Sequence, residues 1–182
     1  NFADGTSIGI DTNTLYIDST NNRVGIGTTS PSEKLEVSDG KLLVKTTSGA
    51  SIIEIVSPGG TADSVLNFGD TADNNVGVIA YEHDNNAFRF LTNASEAMRI
   101  NSSGKVGIGT SSPDRALEIS GSSNTASTLR LKNTAPDPDN IWDFVAEYNS
   151  GDIKILDDGT ERMRINSSGN VGIGTSSPER TL

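Results

Sequence analysis

The sequence predicts an all-β chain: a rod of short β-meander modules, joined by a repeated glycine-rich junction and completing its core with other chains. Three observations predict it. The first is an internal repeat, Val24-Gly25-Ile26-Gly27-Thr28-Thr29-Ser30-Pro31, Val106-Gly107-Ile108-Gly109-Thr110-Ser111-Ser112-Pro113 and Val171-Gly172-Ile173-Gly174-Thr175-Ser176-Ser177-Pro178. The second is that apolar and polar residues alternate over short runs, with no sustained 3.6-residue or heptad period, which excludes an α-helical coiled coil. The third is composition. Hydrophobic residues are 33% and aromatics 5%, low for a chain that buries its own core yet too strictly patterned for disorder.

The copies begin at Val24, Val106 and Val171, an uneven spacing. A strict solenoid keeps a nearly fixed period, so a fixed joint with variable segments between describes similar modules in series. Three modules follow: residues 1–43, residues 44–121, and residues 122–182 with a truncated junction. In the first, Ile8/Ile10 and Leu15/Ile17 alternate with polar neighbours and are separated by Asp-Thr-Asn and Asn-Asn turns. In the junction strand, Val24 and Ile26 face one way and Gly25 and Gly27 the other. Glycine weakens a strand unless another backbone comes close, so the glycine face predicts a close neighbour, either the chain's own turn or a second subunit. Ser30-Pro31-Ser32-Glu33 has the form of a capping box, and Ser112-Pro113-Asp114 and Ser177-Pro178-Glu179 repeat the cap and the proline. Each predicts a one-turn helix that acts as a corner.

In the second module, Ile52, Ile53 and Ile55 predict a strand and Ser57-Pro58-Gly59-Gly60 a turn. Leu66/Phe68, Val76 to Tyr81 and Phe88-Arg89-Phe90 predict further strands, and His83-Asp84-Asn85-Asn86 a tight turn. The third module repeats this plan with Thr128 to Leu131, Ile141 to Tyr148 and Ile153 to Ile155. Asp157-Asp158-Gly159-Thr160 is its hairpin turn, since Asp-Gly tolerates positive φ.

With 24 acidic and 14 basic residues the net charge is −10, which argues against nucleic acid and anionic membrane surfaces as partners. No apolar run approaches a membrane span. There is no cysteine, hence no disulfide or thiolate metal site. The sequence starts without Met and stops inside the third junction, so a longer polypeptide is expected. Gly25-Ile26-Gly27 lacks the third glycine and the long helix of a dinucleotide fingerprint, and reads as structural. Asp70, Asp73, Asp84, Asp137 and Asp139 fit no EF-hand spacing and read as turn formers. His83, the only histidine, has no serine beside it in the sequence to make a nucleophile–base pair. Neither cofactor, metal nor catalytic residue is expected.

The junction with its flanks carries a resemblance. Gly-Val-Gly-Ile-Gly-Thr-x-Ser-Pro, preceded by Glu96-Ala97-Met98-Arg99-Ile100 or Glu161-Arg162-Met163-Arg164-Ile165 and followed by Leu-x-Val/Ile, resembles bacteriophage tail-fibre and tailspike stalks, of the type that often precedes an endosialidase-type chaperone domain. The resemblance implies an elongated, intertwined homotrimeric fibre located on the virion. Its partners would be its own copies, other virion proteins and a host cell-surface glycan or protein. The assembly residues would be Val24, Gly25, Ile26, Gly27, Pro31, Val106, Gly107, Ile108, Gly109, Pro113, Val171, Gly172, Ile173, Gly174 and Pro178. Candidate receptor loops are those of Asp70, Asp73 and Asn74, of His83, Asp84 and Asn85, and of Asp137 and Asp139 near Trp142. The alternatives are a polysaccharide-depolymerising tailspike and a trimeric bacterial adhesin.

Overall fold

The computed structural model describes residues 8–10, 14–123, 127–134 and 140–179; for Ile8–Ile10 and Asn140 only the backbone is considered. The chain divides into two compact units, Asn1–Glu54 and Ile55–Leu182. The described residues contain strands and turns and no helix.

The first unit holds a sheet of four strands, β1 (Ile8–Ile10), β2 (Leu15–Asp18), β3 (Arg23–Ile26) and β4 (Leu35–Val37). The second unit holds two sheets. One has six strands: β5 (Ser64–Phe68), β6 (Gly77–Glu82), β7 (Ala87–Thr92), β8 (Ser95–Ile100), β9 (Val106–Ile108) and β10 (Leu117–Ile119). The other has five: β11 (Thr128–Asn133), β12 (Asn140–Ala146), β13 (Ile153–Asp157), β14 (Thr160–Ile165) and β15 (Val171–Ile173). Within every sheet, spatial order follows chain order. All pairings are antiparallel except β3 with β4 and β9 with β10, which are parallel.

Local chemistry explains the turns. Asn101 Oδ1 accepts the N–H groups of Ser103 and Lys105, both at 3.0 Å, and Asn166 Oδ1 accepts those of Ser168 and Asn170 at 3.0 and 2.9 Å. Asp18 does the same for Thr20 and Asn21. These Asx turns join β8 to β9, β14 to β15 and β2 to β3.

Two expectations are corrected. Ile52, Ile53 and Ile55 lie in no strand and are exposed. Adjacent Ile52 and Ile53 would point to opposite faces of any extended run, so no single face collects them. The corner helix is also absent. Thr28 Oγ1 takes the N–H of Ser30 at 3.1 Å, and Thr110 and Thr175 do likewise for Ser112 and Ser177, both at 3.2 Å. The hydroxyl two residues before the expected cap therefore bends the chain first. The N–H of Ser32 then goes to the carboxylate of Glu36 on β4, 2.7 Å, and not to a helix or to Glu33; Asp114 N–H goes to Glu118 on β10, 2.8 Å. Thr28 Oγ1 thus takes the Ser30 N–H that the capping-box Glu33 would have accepted, and Glu36 on β4 takes a first-turn N–H that would have turned to Ser30 Oγ.

The β7–β8 and β13–β14 hairpins close with two residues at positive φ, Asn93 (50°) and Ala94 (55°) in one, Asp158 (48°) and Gly159 (75°) in the other. Ala94 holds the place of a glycine, and its Cβ opposes the left-handed conformation. Ala94→Gly is expected to stabilise the folded protein by about 1 kcal/mol, read as an increase in the thermal or denaturant midpoint.

Candidate functional site

Each sheet has two unlike faces. In the six-stranded sheet, Leu66, Ile79, Phe90, Met98, Ile108 and Ile119 stand in one register row across all strands. Tyr81, Phe88, Ile100, Val106 and Leu117 form the next row on the same face. In the five-stranded sheet the rows are Leu129, Phe144, Ile155, Met163 and Ile173, flanked by Leu131 with Trp142 and by Ala146, Ile153, Ile165 and Val171. In the first, Ile17, Val24 and Leu35 are aligned, with Ile26 beside Val37. These faces are open. Leu117, Leu131, Ile153 and Ile173 are 55–75% exposed, Phe90, Met98, Ile155 and Met163 are half-buried, and Trp142 and Phe144 lie together on the uncovered side. Apart from the prolines of the junction loops, Ala80, Ala87 and Val145 are the buried apolar side chains among the described residues, and all three lie on the opposite face. Leu117, Ile119, Leu129, Phe144 and Ile153 line a shallow apolar groove where the two sheets of the second unit come together. Monomeric soluble proteins rarely expose contiguous apolar faces of this extent.

The repeated junction lies at the edge of that face. Val24, Ile26, Val106, Ile108, Val171 and Ile173 contribute to it, while Gly25, Gly107 and Gly172 are buried behind it. A Cβ on Gly25, Gly107 or Gly172 would stand 2.3–2.5 Å from the carbonyl oxygen of Thr28, Thr110 or Thr175. A Cβ on Gly27 or Gly109 would stand 2.4 or 2.2 Å from the carbonyl oxygen of Ser38 or Ser120. The backbone that the glycines admit is thus the chain's own returning turn. Pro31 and Pro113 are buried beneath the loop and Pro178 is half-buried. Each loop is tied by the residue preceding the junction valine: Arg23 donates to Pro31 O at 2.8 Å, Lys105 to Asp114 O at 3.0 Å, Asn170 to Pro178 O at 3.3 Å.

Opposite the apolar face, the second and third sheets carry equivalent ion-pair networks. Arg99 bonds both oxygens of Glu96, at 2.9 and 2.8 Å, and Glu82 at 2.8 Å; Glu82 also pairs with Arg89, and Arg89 with Asp63, each at 3.0 Å. In the third sheet, Arg164 bonds both oxygens of Glu161, at 2.9 and 2.8 Å, and also Asp152, while Lys154 pairs with Glu147. Residues three apart on a regular strand face opposite ways. A register shift in each sheet, at Leu91↔Glu96 and Leu156↔Glu161, brings the glutamate round to its arginine. The carbonyl in the shift is not wasted: Ala97 O accepts Gly109 N–H at 3.1 Å and Arg162 O accepts Gly174 N–H at 3.0 Å. Sequence reasoning missed these networks. Their signal was present in Glu-x-Met-Arg-Ile, whose glutamate and arginine are the bidentate pair.

The proposed receptor loops are turn structures. Asp70 Oδ1 accepts Ala72 and Asp73 N–H at 2.8 and 3.0 Å, and Asp73 Oδ1 accepts Asn75 N–H at 3.1 Å; Asn74 packs its backbone against Gly69. The two amide bonds, that of Ala72 first, hold the Asp70 carboxyl below the usual range. His83, Asp84 and Asn85 lie in the exposed turn after β6, where Asn85 reaches Glu82 at 3.4 Å. One expectation here is overturned. The antiparallel register Ser64↔Tyr81 brings Ser64 Oγ to 3.1 Å from His83 Nε2, with Ser57 Oγ a further 3.1 Å from Ser64. The described residues place no carboxylate on the other ring nitrogen, so the acid that orients a catalytic histidine is missing from this set. Asp137 and Asp139 lie outside the described residues. Among those described, no three His, Asp or Glu side chains are gathered as a cation would need.

No protein-family model matches the chain, and no curated protein matches it.

Two predictions follow from the junction and the networks. Gly104 and Gly109 share a φ near +73°, at +74° and +72°, but a Cβ at Gly104 meets nothing within 4 Å. Gly104→Ala is therefore expected to cost only the backbone strain, about 1–3 kcal/mol, and Gly109→Ala clearly more, because Ser120 O blocks it; paired denaturation curves read the difference. Glu161 is held below its ordinary pKa first by its hydrogen bond to Arg164, and Glu147 first by that to Lys154. A depressed folded value contributes stability above the unfolded value, about 4.3, which is lost as pH falls through the folded value. The melting midpoint should hold from pH 7 to about 5 and fall below about 4.3. Arg164→Met should start lower at pH 7 and show a shallower acid limb.

Proposed function

We propose that the chain is a structural segment of a homotrimeric bacteriophage fibre (a tail fibre, capsid fibre or spike stalk) that contributes to host attachment and performs no catalysis. The observation that supports it is the open apolar face of each sheet. Side chains such as Ile79, Phe88, Leu129 and Phe144 stand in register and uncovered. Burying the part of each that is still exposed would contribute roughly 0.5–1.5 kcal/mol, and a second and third copy of the same face supply the cover. The uncovered apolar run Leu42, Leu43, Ile52, Ile53 and Val56 is further surface of the same kind. The number three and the virion rest on the resemblance of the repeated junction to phage stalks.

In this reading the ion-paired faces point outward, and the His83–Asn86 turn and the Asp70–Asn75 loop are presented in three copies on one body. Weak contacts there are multiplied by effective concentration. Light scattering of the purified chain should give three chains per particle. Ile79→Asp or Phe144→Asp should dissociate the assembly, whereas Arg130→Ala, on the ionic face, should leave its mass unchanged. A cooperatively unfolding monomer would overturn the proposal, and detection of the chain by mass spectrometry in purified virions tests its location.

A further inference from the structure

The two ion-pair networks match at Arg99/Arg164, Glu96/Glu161, Glu82/Glu147 and Arg89/Lys154, and differ at other positions, one of which shapes a cleft. In the third sheet Asp152, immediately before β13, has a side chain only 5% exposed. Its carboxylate bridges two donors, the guanidinium of Arg164 and the backbone N–H of Ser167 at 3.0 Å, in the turn that leads to the junction. Register assigns the equivalent position in the second sheet to Ala87: Phe88 pairs with Ile100 as Ile153 pairs with Ile165. The Ser102 N–H is still there, while Arg99 Nη1, the nitrogen that Asp152 takes on Arg164, already donates one proton to Glu82 at 2.8 Å and keeps its second. Arg99 stands where Arg164 does, and Ser102 where Ser167 does. Ser102 N–H has no acceptor among the described residues, although its neighbours Ser103, Gly104 and Lys105 all do. The methyl of Ala87 leaves a polar cleft over the pair, lined also by Asn85, Ser112 and Asp114.

We infer that this cleft binds the carboxylate of an acidic saccharide, taking from outside the group that Asp152 supplies from within the third sheet. The carboxylate sits between Arg99 and Ser102 N–H. The amide of Asn85 and the hydroxyl of Ser112 suit sugar hydroxyls, and Ala87 and Pro113 are the only apolar residues in the lining. Asn85 belongs to the exposed turn after β6, so the cleft opens beside a loop that reaches solvent. Two carboxylates limit affinity: Glu82 already holds one proton of the Arg99 guanidinium at 2.8 Å, and Asp114 adds a like charge on the rim. Single-site binding is therefore weak, and useful attachment depends on several copies of the site on one particle. The inference rests on the attachment reading above for its biological sense but not for its chemistry.

The test is titration of the assembled protein, its mass first verified by light scattering, with D-glucuronate, D-glucose, acetate and an N-acetyl-aspartyl peptide, followed by NMR shifts or calorimetry. Glucuronate should bind at one site per chain and glucose should not. Acetate or the peptide binding as tightly as glucuronate would overturn the saccharide assignment. Ala87→Asp should abolish binding, and Asp114→Asn should tighten it by about fivefold, the size of one partly screened charge interaction. Should Ala87→Asp fail to fold, Asp152→Ala gives the reciprocal readout: it should open a second site and raise the stoichiometry to two. Unaltered stoichiometry in Asp152→Ala, or no glucuronate binding by a protein of verified trimeric mass, overturns the site while leaving the fibre reading intact.

Discussion

The constraint on which the structure depends is that each sheet has one apolar side that the described residues of its own unit leave largely uncovered. Ordinary antiparallel sheets bury the apolar side and leave the polar side to water. Here burial is reversed. Asp143 and Asp152 are among the most buried side chains, whereas Ile173, Leu131 and Ile153 are mostly in solvent. Backbone hydrogen bonds and ion pairs shape the sheets, but they do not supply the hydrophobic stabilisation that offsets chain entropy. In the proposed fibre, contact with the apolar faces of other copies supplies that stabilisation.

Within this constraint, the repeated junction and the ion-pair network are one device seen from two sides. The register shift in Glu-x-Met-Arg-Ile turns a glutamate toward its arginine and leaves a carbonyl pointing out of the ladder. The second glycine of the junction, held at positive φ in Gly109 and Gly174, turns its N–H onto that carbonyl. The first glycine admits the threonine carbonyl of the loop. The loop then returns, and β4 or β10 adds in parallel, with its glutamate holding the residue after the proline. The motif recurs as a block because each part positions the next.

The strands with clean alternation were legible in the sequence: β5 from Leu66 and Phe68, the β6–β7 hairpin, β12 from Trp142 and Phe144, and the Asp158–Gly159 turn. So was the need of the glycines for a close backbone, although not which backbone. Three things were not legible. The corner helix was lost because a capping box is a local signal, and the competing acceptors, Thr28 Oγ1 and Glu36, act through a turn and a strand pairing. The pairing of Ser64 with His83 depends on register between residues far apart in sequence. The networks around Arg99 and Arg164 depend on a register shift, and simple alternation would have placed Glu96 and Arg99 on opposite faces.

The parallel return has a consequence for the direction of the chain. In a pure meander, successive strands reverse, so an even number of strands sends the chain back the way it came. The first sheet has four strands and the second has six, yet in each the last two run the same way. The chain therefore leaves each of these sheets in the sense in which it entered. Adding or deleting a whole hairpin changes the strand number by two and leaves that sense intact, whereas gaining or losing a single strand reverses it. Modules of this kind can differ in size by hairpins without inverting the polarity of the polypeptide, and the junction is the element that preserves it.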